Sequence, residues 1–293
     1  MRIATWNVNS LRARLEKVLS WLERVRPDVL LMQETKLTDA DVPVLAFRQA
    51  GYELAHHGEG RWNGVAIASR VGIGGVITNF GEPRQAPQTD DTGDDEPLAE
   101  ARMIAAEVGG IRVVSLYAPN GRTVGSSFYA AKLAWFERLS RWLDEACDPK
   151  GLVLLGGDFN VAPDDSDVWN PLACHGGTHV SPLERTAFAR LCRWGLVDSY
   201  RLVHSEPGRY TWWDYRAGHF HKNFGMRIDH LLVTSALAGR TVGAEIDREA
   251  RKGKPIPSDH APLVVDLDEA GHPFDAGWES AEGRIAARRA GGA

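Results

Sequence analysis

Short apolar runs that each stop at a polar residue, separated by stretches with helical spacing of apolar positions, constrain this chain most. Ile3 to Val8 alternates as a strand does, and Leu11, Leu15, Val18, Leu19, Leu22 and Val25 then recur at helical spacing until Pro27 closes the helix. Val29–Met32 reads as a short buried strand, and further strands are expected at 52–56, 64–68, 102–107 and 111–117. A long helix follows with Phe128, Leu133, Phe136, Leu139 and Leu143 on its apolar side, and then a buried strand at 152–155. Ser181-Pro182-Leu183-Glu184 forms a capping box with proline at the first helical position, and Gly195 ends that helix. Strands at 227–233, 242–246 and 261–267 complete the series. Elements of both kinds interleave without a composition break, so residues 1–268 are expected to form one α/β domain, two packed sheets with helices outside. Residues 81–97 read as a mobile surface loop, and 269–293 as a C-terminal tail, disordered or docked through Trp278.

The bulk properties exclude some classes. A hydrophobic content of 43% supplies a sizeable core, while no stretch approaches the ~20 apolar residues of a membrane span. The sequence opens Arg2-Ile3-Ala4-Thr5-Trp6 without a signal-peptide pattern, and Cys147, Cys174 and Cys192 have no metal-type spacing. A reducing cytoplasm is the expected location, with no membrane partner. The net charge of −5 runs opposite to that of most nucleic-acid binders. Five of the acids, Asp90, Asp91, Asp94, Asp95 and Glu96, lie in a single loop, so global charge neither supports nor excludes DNA.

The polar ends of the apolar runs carry the chemistry. Asp158 and Asn160, two residues apart after an apolar run, form either an Asx-rich turn or a place to hold a phosphate and its attacking water. Asn7 ends the first strand, as a turn residue or a site residue. Glu34 follows Val29–Met32, where a buried carboxylate is costly unless it meets a cation. Such oxygen donors suit Mg²⁺, with Mn²⁺ as a substitute, and no Cys/His cluster argues for zinc. Asp229 lies among apolar residues, paired either with Arg227 or with a functional partner. His260 beside Asp259, with Asp229 in reserve, suggests an oriented imidazole of raised pKa. Tyr117-Ala118-Pro119-Asn120-Gly121 ends another strand in what is otherwise a simple turn.

Taken together, the chain resembles the exonuclease III family of abasic-site endonucleases, within the endonuclease/exonuclease/phosphatase superfamily. The matching stretches are 5–14, 33–36, 117–121, 157–160, 194–198, 210–216, 227–229 and 258–262, spread over residues 1 to about 267. The resemblance implies a four-layered α/β sandwich and Mg²⁺-dependent cleavage of double-stranded DNA 5′ to abasic sites, with action at 3′ ends as well. By position, Asn7, Glu34, Asp158, Asn160 and Asp259 form the metal set, Asp259 at a second metal position. Asp158 would orient or deprotonate the attacking water, and Asn160 would hold the phosphate. His260, braced by Asp229, would stabilise charge on a non-bridging oxygen, and Tyr117 would touch the phosphate or the leaving group.

Trp212, Trp213 and Met226 match positions that line a pocket for the base-free sugar, although each tryptophan reads equally well as core. Arg102 and Asn120 are assigned to phosphate contact, and Arg248, Arg251, Lys252 and Lys254 to a basic loop or a solvated charge run. A superfamily phosphodiesterase acting on a lipid or inositol phosphate is the alternative enzyme, and a binding module the non-enzymatic one. A monomer suffices for the chemistry.

Overall fold

The computed structural model describes residues 1–81 and 101–290, without the side chains of 286–290. Twelve strands form two six-stranded sheets among the described residues. They are β1 Arg2–Asn7, β2 Val29–Gln33, β3 Glu53–His57, β4 Val65–Ser69, β5 Gly74–Thr78 and β6 Met103–Val108. The remainder are β7 Ile111–Tyr117, β8 Val153–Asp158, β9 Leu196–Asp198, β10 Asp229–Thr234, β11 Thr241–Ile246 and β12 Leu263–Leu267. One sheet runs β11-β12-β1-β2-β4-β3 and the other β5-β6-β7-β8-β10-β9. Each contains one parallel pair, β1 with β2 and β7 with β8, and the helices Leu11–Val25 and Ser127–Ala146 make the two crossovers.

Strand side chains alternate between faces, and here both faces are buried, which is why the strands read as nearly continuous apolar runs. Ile3, Leu31, Ile67, Leu154, Leu231 and Val265 point inward and form the core between the sheets. Ala4, Trp6, Leu30 and Met32 point outward against Val18, Trp21 and Leu22 of the first helix. On the other sheet Val114, Leu116 and Leu155 meet Trp135, Phe136 and Leu139 of the long helix, and Phe188 and Leu191 of the helix Pro182–Trp194. The result is helix, sheet, sheet, helix, the four-layered α/β sandwich. No described helix is long and apolar enough to cross a membrane.

A polar rivet fixes the two sheets against each other below the rim. Gln33 Nε2 donates to Ser115 Oγ at 3.0 Å and to Thr5 Oγ1 at 3.1 Å, and Ser115 Oγ donates to the Met32 carbonyl at 3.0 Å. All three side chains are fully buried, so the mutual bonds satisfy groups that would otherwise be costly. Glycines allow the close approach beside it. A Cβ on Gly156 would stand 2.6 Å from both Leu231 Cδ2 and Leu31 Cδ1, and one on Gly157 would stand 1.9 Å from the Leu116 carbonyl oxygen. Gly157→Ala is therefore expected to push β8 from β7 and cost roughly 1–3 kcal/mol. A denaturant midpoint equal to wild type would contradict that packing.

The structure adds two strands to the sequence reading and places the tail by one of its two alternatives. β5 and β9 were not anticipated: β5 carries two glycines and little burial, and β9 has only three residues. Residues 269–285 are docked rather than loose. Trp278 is buried, its Nε1 donates to the Ile246 carbonyl at 2.6 Å, and the helix Glu279–Ala290 follows it. The acidic loop lies outside the described residues, apart from Gly81.

Candidate active site

Strand polarity brings the candidate residues to one rim. β7 and β8 are parallel, so their C-terminal residues Tyr117 and Asp158 are register partners. β10 runs antiparallel to β8, so its first residue, Asp229, lies opposite Asp158. Asn7 ends β1 and Glu34 follows β2, while β12 is antiparallel to β1, so His260 enters at the same edge. Six separate segments thus converge without any being adjacent in sequence.

Asp158 is at the centre. Its Oδ1 accepts from the backbone N–H of Asn160 at 2.9 Å, and its Oδ2 accepts from Asn7 Nδ2 at 3.0 Å. Asn7 Nδ2 also donates to Glu34 Oε1 at 2.7 Å, so one amide ties two carboxylates together. His260 Nε2 stands 3.8 Å from Asp158 Oδ2, and its Nδ1 donates to Asp229 Oδ2 at 2.8 Å. Burial pushes the Asp158 carboxyl up to about 7, with the negative charges of Asp229 and Glu34 adding to the rise and His260 opposing it. Burial alone would lower His260, but the carboxylates of Asp229 and Asp158 outweigh it and raise the imidazole to about 10. His260 is therefore a cation at neutral pH. Tyr117 is pushed well above its ordinary value by burial and then by the charge of Glu34, so it stays a phenol.

The donor set fits a single hard cation. Glu34 and Asp158 each place a carboxylate oxygen within 4.8 Å of the other and of a ring nitrogen of His260; the carboxylates supply the hard oxygens that Mg²⁺ prefers, while the protonated imidazole adds charge and no ligand atom. Asp158 is buried and Glu34 half-buried; Lys36 Nζ stands 2.9 Å from Glu34 Oε2 and His260 Nε2 3.8 Å from Asp158 Oδ2, and a cation shared by the two carboxylates would complete their neutralisation. Three expected ligands, Asn7, Asp259 and Asn160, are placed differently. Asn7 presents its nitrogen to the carboxylates, while its Oδ1 accepts from the Asn9 backbone at 3.0 Å; reversing the amide would exchange them. Asp259 lies outside the trio, with its oxygens accepting from Asn9 Nδ2 at 2.9 Å and Trp212 Nε1 at 3.1 Å.

Asn160 adopts a left-handed backbone with φ 53°. Its Nδ2 donates to the Ala118 carbonyl at 2.9 Å and its Oδ1 accepts from Asn120 Nδ2 at 3.2 Å. Among the described groups its side chain is thus held by the 118–120 turn and not aimed at the carboxylates. Arg102 is buried, with its guanidinium 4.8 Å from the Tyr117 ring centroid.

The two tryptophans separate cleanly. Trp212 is half-buried and pairs its backbone with Met226, and both pack on Ile228 and Val168 at the edge of the site. Trp213 is fully buried, donates Nε1 to Asn223 Oδ1 at 3.1 Å and packs on Phe220 and Trp278, so it is core and does not line a pocket. The basic loop is also corrected. Arg248 and Arg251 are buried over Phe220, and Arg251 donates to the carbonyls of Ser258 and Trp213. Arg251 thereby braces the segment before His260, while Arg248 donates to the Phe220 carbonyl at 3.0 Å.

Three further residues sit at the site and are absent from the sequence reading of it, and a fourth, Lys132, lies behind it. Asn9, Lys36 and His179 are polar residues of a kind common on any surface, and a lysine on an amphipathic helix, as Lys132 is, is ordinarily solvated. Asn9 Oδ1 accepts from Lys36 Nζ at 2.6 Å, and His179 lies 6.4 Å, ring to ring, from Trp212. His179 has a φ of 79°, a backbone that a β-carbon disfavours, but nothing in the sequence marks it.

The model of the Endonuclease/Exonuclease/phosphatase family matches residues 4–260. An exodeoxyribonuclease of Bacillus subtilis is 34% identical over 269 residues, covering 90% of this chain and 98% of that protein. Exodeoxyribonuclease III of Haemophilus influenzae is 31% identical over 282 residues, covering 91% and 100%. Among solved structures, an AP endonuclease from Archaeoglobus fulgidus superposes with a TM-score of 0.82 at 36% identity, and a 3′–5′ exonuclease from Neisseria meningitidis with 0.82 at 39%; each covers 92% of this chain and 100% of its own. Family model, relatives and shared architecture agree: the chain belongs to the exonuclease III family, within the Endonuclease/Exonuclease/phosphatase family, and is a hydrolase of that type.

Proposed function

We propose that this protein is a Mg²⁺-dependent DNA-repair nuclease that hydrolyses the phosphodiester 5′ to an abasic site and also trims 3′ ends. The observation that carries the reading is Asp158 set between a cationic His260 on one side and the Asn7–Glu34 pair on the other. Relatives support the range of substrates: one similar structure is a 3′ phosphatase from Neisseria bound to a product DNA hairpin, 38% identical with a TM-score of 0.82.

Phosphoryl transfer asks for positioning and charge stabilisation more than for covalent chemistry. In the proposed mechanism Glu34 and Asp158 would hold the cation, with Asn7 setting their spacing. When bound, such an ion would supply charge neutralisation and activation of water. Asp158, held by Asn7 and the Asn160 backbone, would accept the proton of the attacking water. His260 donates through Nε2 to a non-bridging oxygen, since Nδ1 is committed to Asp229. Tyr117, still protonated, donates to the phosphate or to the leaving oxygen. Asn120 contacts the phosphate, Arg102 holds the Tyr117 strand end, and Trp212 with Met226 forms the apolar wall for a sugar without a base. Extruding such a nucleotide is least costly where the base is already missing.

The test is incubation with duplex DNA carrying one abasic analogue, and with duplexes ending in a 3′ phosphate, in Mg²⁺ and in chelator. Hydrolysis in Mg²⁺ that falls steeply with salt is expected. Failure to cleave any DNA, with turnover of an inositol phosphate or a lipid, would replace this reading by the alternative one.

A pH prediction follows from the imidazole. Its raised pKa keeps His260 protonated as pH rises through neutrality, and activity is lost only as pH passes the folded-state value of about 10. Asp229→Asn removes the largest charge holding it up, so the alkaline limb of kcat/KM is expected to move to lower pH. An unmoved limb would mean that another group sets it.

A further inference from the structure

Behind the rim lies a buried ion pair that the mechanism does not use. Lys132, on the helix Ser127–Ala146, and Glu184, in the first turn of the helix Pro182–Trp194, are both fully buried and in direct contact. Lys132 Nζ donates to the Asn160 carbonyl at 2.7 Å and to the Asn120 carbonyl at 3.3 Å. Glu184 Oε1 accepts from the His179 backbone N–H at 3.0 Å, and Oε2 accepts from the Ser181 backbone at 3.1 Å. His179 Nδ1 closes the ring by donating to the same Asn160 carbonyl at 2.6 Å. Three loops that share no secondary structure are thus gathered on one ammonium and one carboxylate.

The arrangement answers a local difficulty. Asn160 holds a left-handed backbone that a β-carbon disfavours, immediately after Asp158, so something must over-determine it. Two charge-assisted or polar donors on its carbonyl do so. A Cβ on Gly121 would come within 2.9 Å of Lys132 Cδ, so the Asn120 turn is fitted against this side chain as well. Burial and the neighbouring ammonium keep His179 neutral, with its pKa lowered to about 4, and so able to use Nδ1 as a plain donor.

We infer that Lys132, charge-balanced by Glu184, is a positioning residue that sets the Asn160 and Asn120 amides for the scissile phosphate without touching substrate. The inference rests on the function proposed above and deepens it. The obvious variant, Lys132→Met, leaves Glu184 buried and unpaired and is expected to lower the melting temperature as well as activity. The double variant Lys132→Met/Glu184→Gln removes that stranded charge and keeps an acceptor for one of the two backbone N–H groups that Glu184 holds, so melting temperature should partly return. Activity should not: kcat/KM on the abasic duplex is expected to stay depressed on the order of 100-fold, the scale of a small misplacement of contacting groups. Amide hydrogen exchange on the full chain gives a second readout, with faster exchange confined to 118–122 and 158–162. Recovery of both kcat/KM and exchange protection in the double variant would overturn the inference. If the wild-type protein cleaves no DNA, the functional reading falls, and the exchange measurement alone decides whether Lys132 orders these two turns.

Discussion

Asp158→Asn should lower kcat by at least about 3 kcal/mol of transition-state stabilisation, on the order of 100-fold or more, with a smaller change in KM. The substitution preserves shape, so the Asn160 backbone bond at 2.9 Å to the first oxygen can persist. What changes is the atom facing Asn7. An amide placed there either turns its own nitrogen toward Asn7 Nδ2, opposing two donors across 3.0 Å, or rotates and loses the Asn160 bond. The negative charge 3.8 Å from His260 disappears as well, as does the second carboxylate beside Glu34. Proton acceptance, cation holding and imidazole tuning are lost in one step, whereas contacts to distant parts of the DNA are untouched. The measurement is single-turnover and steady-state cleavage of the abasic duplex in saturating Mg²⁺. Turnover within a factor of about three of wild type would remove Asp158 from the proposed chemistry.

The site was legible to the extent that its residues end strands. A buried strand carries an apolar run, and a polar residue that stops the run must stand at the sheet's edge, so Asn7, Glu34, Asp158 and Asp229 could be placed on a rim from sequence alone. Their mutual contacts were not legible, because they depend on parallel and antiparallel register. Asp229 illustrates this: its sequence neighbour Arg227 was one candidate partner, yet Arg227 turns away to Asp167 and Asp198, and His260 takes the carboxylate. Tryptophans were ambiguous for a related reason. Trp212 and Trp213 are adjacent and point to opposite sides, and only the docking of Trp278 shows which side is core. Arg248 and Arg251 misled by composition, since four basic residues in a loop resemble a phosphate-binding surface until the aromatic floor beneath two of them is seen. Lys132 gave no signal, because a lysine on an amphipathic helix is ordinarily solvated.

Arg227→Met is expected to destabilise the fold by about 3 kcal/mol at neutral pH, near the lower end of the range for stranding buried charge. Arg227 is almost fully buried, with Nε 2.7 Å from Asp167 Oδ1 and Nη1 2.6 Å from Asp198 Oδ2. Methionine fills much of the volume but leaves two carboxylates without their main cation. Each keeps some compensation: Asp167 retains Arg201, and Asp198 retains the capped Tyr200 N–H at 3.1 Å and His230 at 3.6 Å. That compensation is why the expected loss lies at the low end. Burial alone would raise Asp198, but Arg227 outweighs it and holds the carboxyl well below the usual carboxylate range. A depressed folded-state pKa contributes stability above the unfolded value and loses it as pH falls, so the wild-type advantage is full above about pH 4 and shrinks below it. In the variant the same carboxyl rises toward or above its unfolded value, and protonation relieves the buried charge. The two stability curves should therefore converge on acidification. Denaturant unfolding across neutral to acidic pH measures this directly. A gap that stays constant with pH would assign the loss to packing around Tyr200, over which the guanidinium lies at 5.3 Å, and not to the ion pairs.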